Sequence, residues 1–171
     1  MPEIDEPNGD EPTPYRDPVG LHGVHLLTCR ALWYDAQRTD GAFGLAGIMT
    51  HIEPSEEASF PVSLNRVFVY VQLWGDAGEY TLRIRLVRVI LEDDDEVEVQ
   101  IGMNDEPREY PLPSRRPVVV SGLNYVDELG FPIGPVAFPE PGLYEYQLIA
   151  EGIKSPIARE RVLAREWTDD E

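Results

Sequence analysis

Along the middle of the chain apolar side chains recur at every second position, the period of a strand rather than of a helix. Val67, Val69, Val71 and Leu73 alternate with Phe68, Tyr70, Gln72 and Trp74. Both sets are largely apolar or aromatic, as in a central strand covered on both faces. A cleaner alternation follows, with Tyr80, Leu82, Ile84 and Leu86 facing one way and Thr81, Arg83 and Arg85 the other, so one face is core and the other is water. After Leu86 the apolar phase passes to Val87, Val89 and Leu91, and a slip of one residue predicts a bulge. The chain then turns at "EDDDE" and returns through Val97, Val99 and Ile101, which reads as a hairpin. Side-chain chemistry favours an even register, with Val opposite Val and Arg88 across from Glu98 or Gln100.

The remaining segments follow the same rules. "HLLTCRALWYD" and "FGLAGIMTHI" flank Asp40-Gly41, a turn signal that predicts an N-terminal hairpin. "PVVVSGLNYV" is a further short strand. Between Asp127 and Pro141 the spacing of Gly and Pro predicts an irregular loop, and Pro132, Pro135 and Pro139 each exclude a central strand position. "LYEYQLIA" and "ARERVLA" supply later strands, while "IARERVLAREW" comes nearest to a helical spacing, so strand and helix both stay open over Ile157–Trp167. Short strands with turns at close intervals predict an all-β fold, an immunoglobulin-like antiparallel β-sandwich of about seven to nine strands.

One phrase is written twice, as "GDAGEYTLRI" from Gly75 and "PEPGLYEYQL" from Pro139. Each has an acidic residue two positions before a glycine and a tyrosine two after it. Gly78 and Gly142 would supply backbone conformations that other residues resist. Tyr80 and Tyr144 would bury their rings beneath the corner, each hydroxyl reaching an upstream backbone group as in a tyrosine corner. Pro139 and Pro141 stiffen the approach to Tyr144, making it the better case.

The stretch "CRALWYDAQRTDGAFGLAGI", followed by "FPEPGLYEYQLIAEG", resembles a bacterial family known as a domain of unknown function. The residues that carry the resemblance are Cys29, Asp35, Gly41, Leu45, Gly47 and Ile48, then Phe138, Pro139, Pro141, Gly142 and Tyr144. The chain departs from the pattern at Ala42 and Phe43, where a basic residue commonly follows the turn glycines. The resemblance implies a small immunoglobulin-like β-sandwich and no activity.

Composition adds boundaries and excludes partners. Residues 1–20 are rich in Pro, Asp and Glu and poor in large apolar side chains, a composition that predicts an acidic disordered tail. A single sandwich domain is expected over residues 21–167, with a short acidic terminus at 168–171. The 32 Asp and Glu against 14 Lys and Arg give a net charge of -18, which repels phosphates and disfavours nucleic acid and anionic membrane. A basic protein surface or self-association is the favoured kind of partner. Cys29 is the lone cysteine, so no intramolecular disulfide forms and a reducing cytoplasm fits. The opening residues lack a signal peptide's basic start and apolar run, and no run reaches membrane-spanning length.

Candidate chemistry is sparse. Asp93, Asp94, Asp95 and Glu96 could gather around calcium, a hard cation with oxygen ligands, joined by Asp35, Asp40 or Asp76 if their loops share one end. The run fails the EF-hand pattern, with Glu98 where the glycine should stand, and four adjacent acids at a hairpin tip are more often simply a solvated turn. His22 and His25, three apart, should point to opposite faces of a strand. His51 beside Glu53 reads as a surface pair. Cys29 reads as inert core. Phe68, Tyr70 and Trp74 share one side of a strand and could stack a glycan or a partner, or simply be core. No nucleophile elbow, P-loop or dinucleotide fingerprint occurs. The expectation is a non-enzymatic interaction module without a cofactor, with a sandwich that binds calcium or a glycan as the alternative.

Overall fold

The computed structural model describes residues 20–34, 43–54, 59–93, 95–100, 108–111, 118–122 and 126–166. Among them there are strands and turns and no helix. In chain order the strands are β1 (Leu21–Tyr34), β2 (Phe43–Ile48), β3 (His51–Ile52), β4 (Val62–Leu64), β5 (Val67–Gly75), β6 (Gly78–Tyr80) and β7 (Leu82–Glu92). They continue as β8 (Asp95–Gln100), β9 (Arg108–Pro111), β10 (Val118–Val120), β11 (Asp127–Ile133), β12 (Val136–Phe138), β13 (Gly142–Ala150) and β14 (Ala158–Ala164).

Two sheets dominate. Sheet A has four strands in the order β11-β5-β1-β2, and sheet B runs β3-β14-β13-β7-β8 with β9 also on β7. Two-stranded ribbons, β10-β6 and β12-β4, complete the set. The pairing is antiparallel except between β14 and β3. Fragments of two to four residues bring the strands above the number expected.

The sheets meet across one core. Val67, Val69, Val71 and Leu73 on β5 are fully buried and join one cluster with Ile84 and Leu86 of β7, Tyr144, Tyr146 and Leu148 of β13, and Val162 of β14. Each such side chain taken from water contributes about 1.5–3 kcal/mol. β5 lies between β11 and β1, the interior place its two apolar faces predicted. The sheets also touch along a seam where the Gly23 amide donates to the Ile157 carbonyl at 3.0 Å. A Cβ on Gly23 would stand 2.4 Å from the Ala158 side chain, so glycine there permits the close approach.

Three local expectations need correction, and one open choice is settled in part. The slip after Leu86 is not a bulge, because β7 pairs residue by residue with β13 from Leu82 to Val89. Val87 and Val89 are buried outside the main core cluster, on the face opposite Ile84 and Leu86, while Leu91 is exposed. The hairpin register is odd, with Val89 opposite Glu98, Arg88 opposite Val99 and Glu92 opposite Asp95. A two-residue connection sets that register, and Asp93 sits in it at φ 53°, a conformation Asp tolerates. Residues 127–141 form β11 and β12 rather than an irregular loop. Pro132 is accommodated because β11 is an edge strand, where a missing amide costs no ladder bond. Residues 158–164 are the strand β14, which settles that part of the open choice. The tail at 1–19, Asp35, the Asp40-Gly41 turn, Asp94 and the terminus at 168–171 lie outside the described residues.

Candidate functional site

The repeated phrase makes the same bond twice. The Tyr80 hydroxyl donates to the Asp76 carbonyl at 3.0 Å, and the Tyr144 hydroxyl donates to the Glu140 carbonyl at 2.7 Å. In both cases the acceptor is the backbone of the acidic residue two positions before the glycine. Tyr144 is fully buried and meets the Phe138 ring edge-on at 5.0 Å. Burial pushes its hydroxyl pKa up while the backbone bond opposes this, the state of a structural phenol. Gly142 adopts φ 155° and leaves room for Arg88, whose Nε would lie 2.7 Å from an added Cβ. Arg88 donates to the Pro141 carbonyl at 3.0 Å and pairs with Glu140, so it braces the same corner. Gly78 has no positive φ and only ordinary contact distances around an added Cβ, so its corner needs no special backbone.

Phe68, Tyr70 and Trp74 do share the outer side of β5, but as separate contacts rather than an open row. Tyr70 is buried, its ring meeting Phe43 at 5.8 Å and its hydroxyl donating to Glu128 at 2.7 Å. Gln72 donates to the same hydroxyl at 2.8 Å. Burial, then the Glu128 carboxylate, push the Tyr70 hydroxyl up to about 12. Trp74 rests against the His22 ring at 5.7 Å, and Phe68 is half-buried.

The β1–β2 hairpin produces this cover. Cys29 pairs with Phe68, and Gly130 pairs with Tyr70. Leu32 lies past Cys29, yet a Cβ on Gly130 would meet Leu32 at 2.3 Å and Phe43 at 2.7 Å. The end of β1 therefore bends back and lays Leu32 and Phe43 over the outer face of sheet A. Tyr34 packs edge-on against Phe43 at 5.3 Å, and the Trp33 ring lies where a Cβ on Gly44 would stand. The bend leaves Trp33, Tyr34 and Ile48 each more than half exposed, at 52%, 57% and 51%. Between Ala42 and Thr50 there is neither a formal charge nor a proline. Sequence reading missed this site, because nothing in "FGLAGI" tells which of its two edges would be paired.

The β7–β8 hairpin does the opposite with charge. Arg161 donates to Glu96 at 2.9 Å and to Glu145 at 3.1 Å. Arg159 donates to Glu145 at 2.9 Å and to Glu98 at 3.0 Å. Gln147 donates to Glu145 at 2.7 Å and to Glu98 at 2.8 Å, and accepts from Arg85 at 2.8 Å. These bonds join β8 to β13 and β14 across β7, so the hairpin arches over the outer face of sheet B. That arch buries Glu145 and Gln147 almost completely. Hydrogen bonding to Arg161 holds the Glu96 carboxyl below its usual range. Glu96, a candidate calcium ligand, is thus occupied by a guanidinium, and Asp95 lies beside Glu92 in the register. No cluster of three metal-ligating side chains exists among the described residues.

Cys29 is fully buried, its thiol donates to the Ala31 carbonyl at 3.2 Å, and burial raises its pKa. The histidines depart from the sequence reading. A register shift between Gly23 and His25 sets His22 opposite Trp74 and His25 opposite Gln72, which places both on one face. The His51 ring lies 3.2 Å from the Thr50 hydroxyl, and Glu53 pairs instead with Arg165.

No protein-family model matches the chain, and no curated protein is significantly similar to it. Among the described residues no helix is long and apolar enough to cross a membrane.

Proposed function

We propose that this protein is a non-enzymatic interaction module that accepts an extended segment of a partner protein on the free edge of β2. The observation that carries the reading is a difference between sheet edges. β11 presents Asp127, Glu128 and Pro132; β8 presents Asp95, Glu96 and Glu98; β9 presents Arg108 and Glu109; β3 has two residues. Charge, proline and brevity are the devices by which edges avoid pairing with other chains. β2 has none of them, and exposed Trp33, Tyr34 and Ile48 stand around it. Its one irregularity is Gly47 at φ 64°, near the end of the strand.

Strand addition supplies main-chain bonds along such an edge, while flanking side chains supply specificity. The partner segment pairs apolar residues with Trp33, Tyr34 and Ile48 and carries basic residues, since the net charge of -18 attracts cations at long range. The two tyrosine corners support an immunoglobulin-like sandwich, and the lone buried Cys29 suits a cytoplasmic protein. The bacterial family resemblance rests on its motifs alone.

The test places a photo-crosslinking residue at Ile48 and, in a second variant, at Glu98, and illuminates both in cell extract at low and high salt. A heterologous adduct at position 48, absent at 98 and weakened by salt, supports the reading. An adduct of two copies, or equal labelling at both positions, overturns it.

A further inference from the structure

Five buried polar atoms have no hydrogen-bond partner among the described residues; Arg88 Nε lies at the Tyr144 corner, and the other four are Thr28 Oγ1, Tyr110 Oη, Tyr146 Oη and Glu160 Oε2. These four belong to one neighbourhood. Tyr146 and Glu160 are register partners on β13 and β14. Tyr110, on β9, packs against the core that contains Tyr146, and both Tyr110 and Glu160 act electrostatically on Tyr146. Thr28, on β1, faces the Glu160 carboxyl across the seam with its amide and hydroxyl. Tyr146 and Thr28 are both fully buried, so bulk water does not reach either.

We infer that this interior is a binding site for ordered water, bridging the Tyr146 hydroxyl to the Glu160 carboxyl and onward to Tyr110 or Thr28. A buried hydroxyl left unpaired is costly, and natural interiors rarely keep several together. An internal water makes two to four bonds to such groups, and this cluster offers that many from four strands. Burial favours the uncharged form of Glu160, which both donates and accepts and so suits a neutral water chain. The seam between the sheets is then closed through solvent as well as through direct contact.

A crystal structure of the full chain, at a resolution where surface waters are clear, is the direct test. Water within hydrogen-bond distance of two or more of the four atoms is the expected result. A dry interior, or a direct bond between Tyr146 and Glu160 or Tyr110, would overturn the inference. Thermal unfolding of Tyr146→Phe gives an independent reading. Loss of a water bridge lowers Tm by about 2–4 °C, whereas removal of an unpaired hydroxyl leaves Tm unchanged or raised, which counts against the site.

Discussion

Two hairpins fold over the outer faces of their sheets, and they do it with opposite chemistry. The β1–β2 hairpin covers Tyr70 and Gly130 with Leu32 and Phe43. The β7–β8 hairpin covers Glu145 and Gln147 through Glu96, Glu98 and three arginines. The second leaves a charged edge that rejects other strands, because the carboxylates that hold it down also line it. The first is held by apolar contact, and among the described residues no strand pairs with its outer edge. How a hairpin is fastened therefore decides which side chains line its rim.

The largest effect is expected where the ionic cover is cut. Glu145→Ala leaves Arg159, Arg161 and Gln147 without their shared acceptor and should cost about 2–4 kcal/mol, less than a fully buried pair because both arginines reach solvent. Urea unfolding measures it, and a cost below about 1 kcal/mol would mean that the network fastens nothing. On the apolar side, Gly130→Ala pushes a methyl into Leu32 and Phe43 and should cost about 1–3 kcal/mol, with the Tyr34 and Phe43 ring signals shifted in NMR spectra.

The seam between the sheets responds to pH. Burial, partly offset by the nearby Thr28, raises the Glu160 carboxyl to about 7 from 4.5. Between these values the folded chain holds a proton that the unfolded chain has lost. Stability therefore falls as pH rises through that window and levels off above it, by about 3 kcal/mol in all. Glu160→Gln should flatten this part of the profile, as unfolding at pH 5 and pH 8 will show. An unchanged slope would place its source elsewhere.

Smaller effects distinguish the corners and the rims. Tyr144→Phe should cost about 1 kcal/mol, and Tyr80→Phe less, because only the former hydroxyl sits on a fully buried ring. Equal losses would remove that distinction. Ile48→Lys should change stability by under about 0.5 kcal/mol while abolishing partner capture, since it gives β2 the charge every other long edge carries. Capture that survives the substitution would move the docking site off β2.

The parts of this fold legible in the sequence are those set by neighbours along the chain. The tyrosine corners are such parts, because acceptor and donor are four residues apart in each phrase. The strand β5 was legible because its alternation extends over nine residues. The odd register of β7–β8 was not: it depends on a two-residue turn and on arginines some sixty residues away. β11 was hidden by Pro132, whose meaning changes once the strand is known to lie at an edge. The bare rim of β2 was illegible for the same reason, since strand order decides which edges stay open.

The turn at Asp93 also fixes how this protein can tolerate changes in length. Because side chains alternate along β8, inserting or deleting one residue in that turn would exchange Val97 and Val99 for Glu96 and Glu98 throughout the strand. The valines would then face Arg159 and Arg161, and the glutamates would face away. Two inserted residues would restore the faces. In a lineage descended from this chain, the length of that loop should drift by even numbers, whereas the connection between β1 and β2, whose cover is apolar, carries no such arithmetic in its charges.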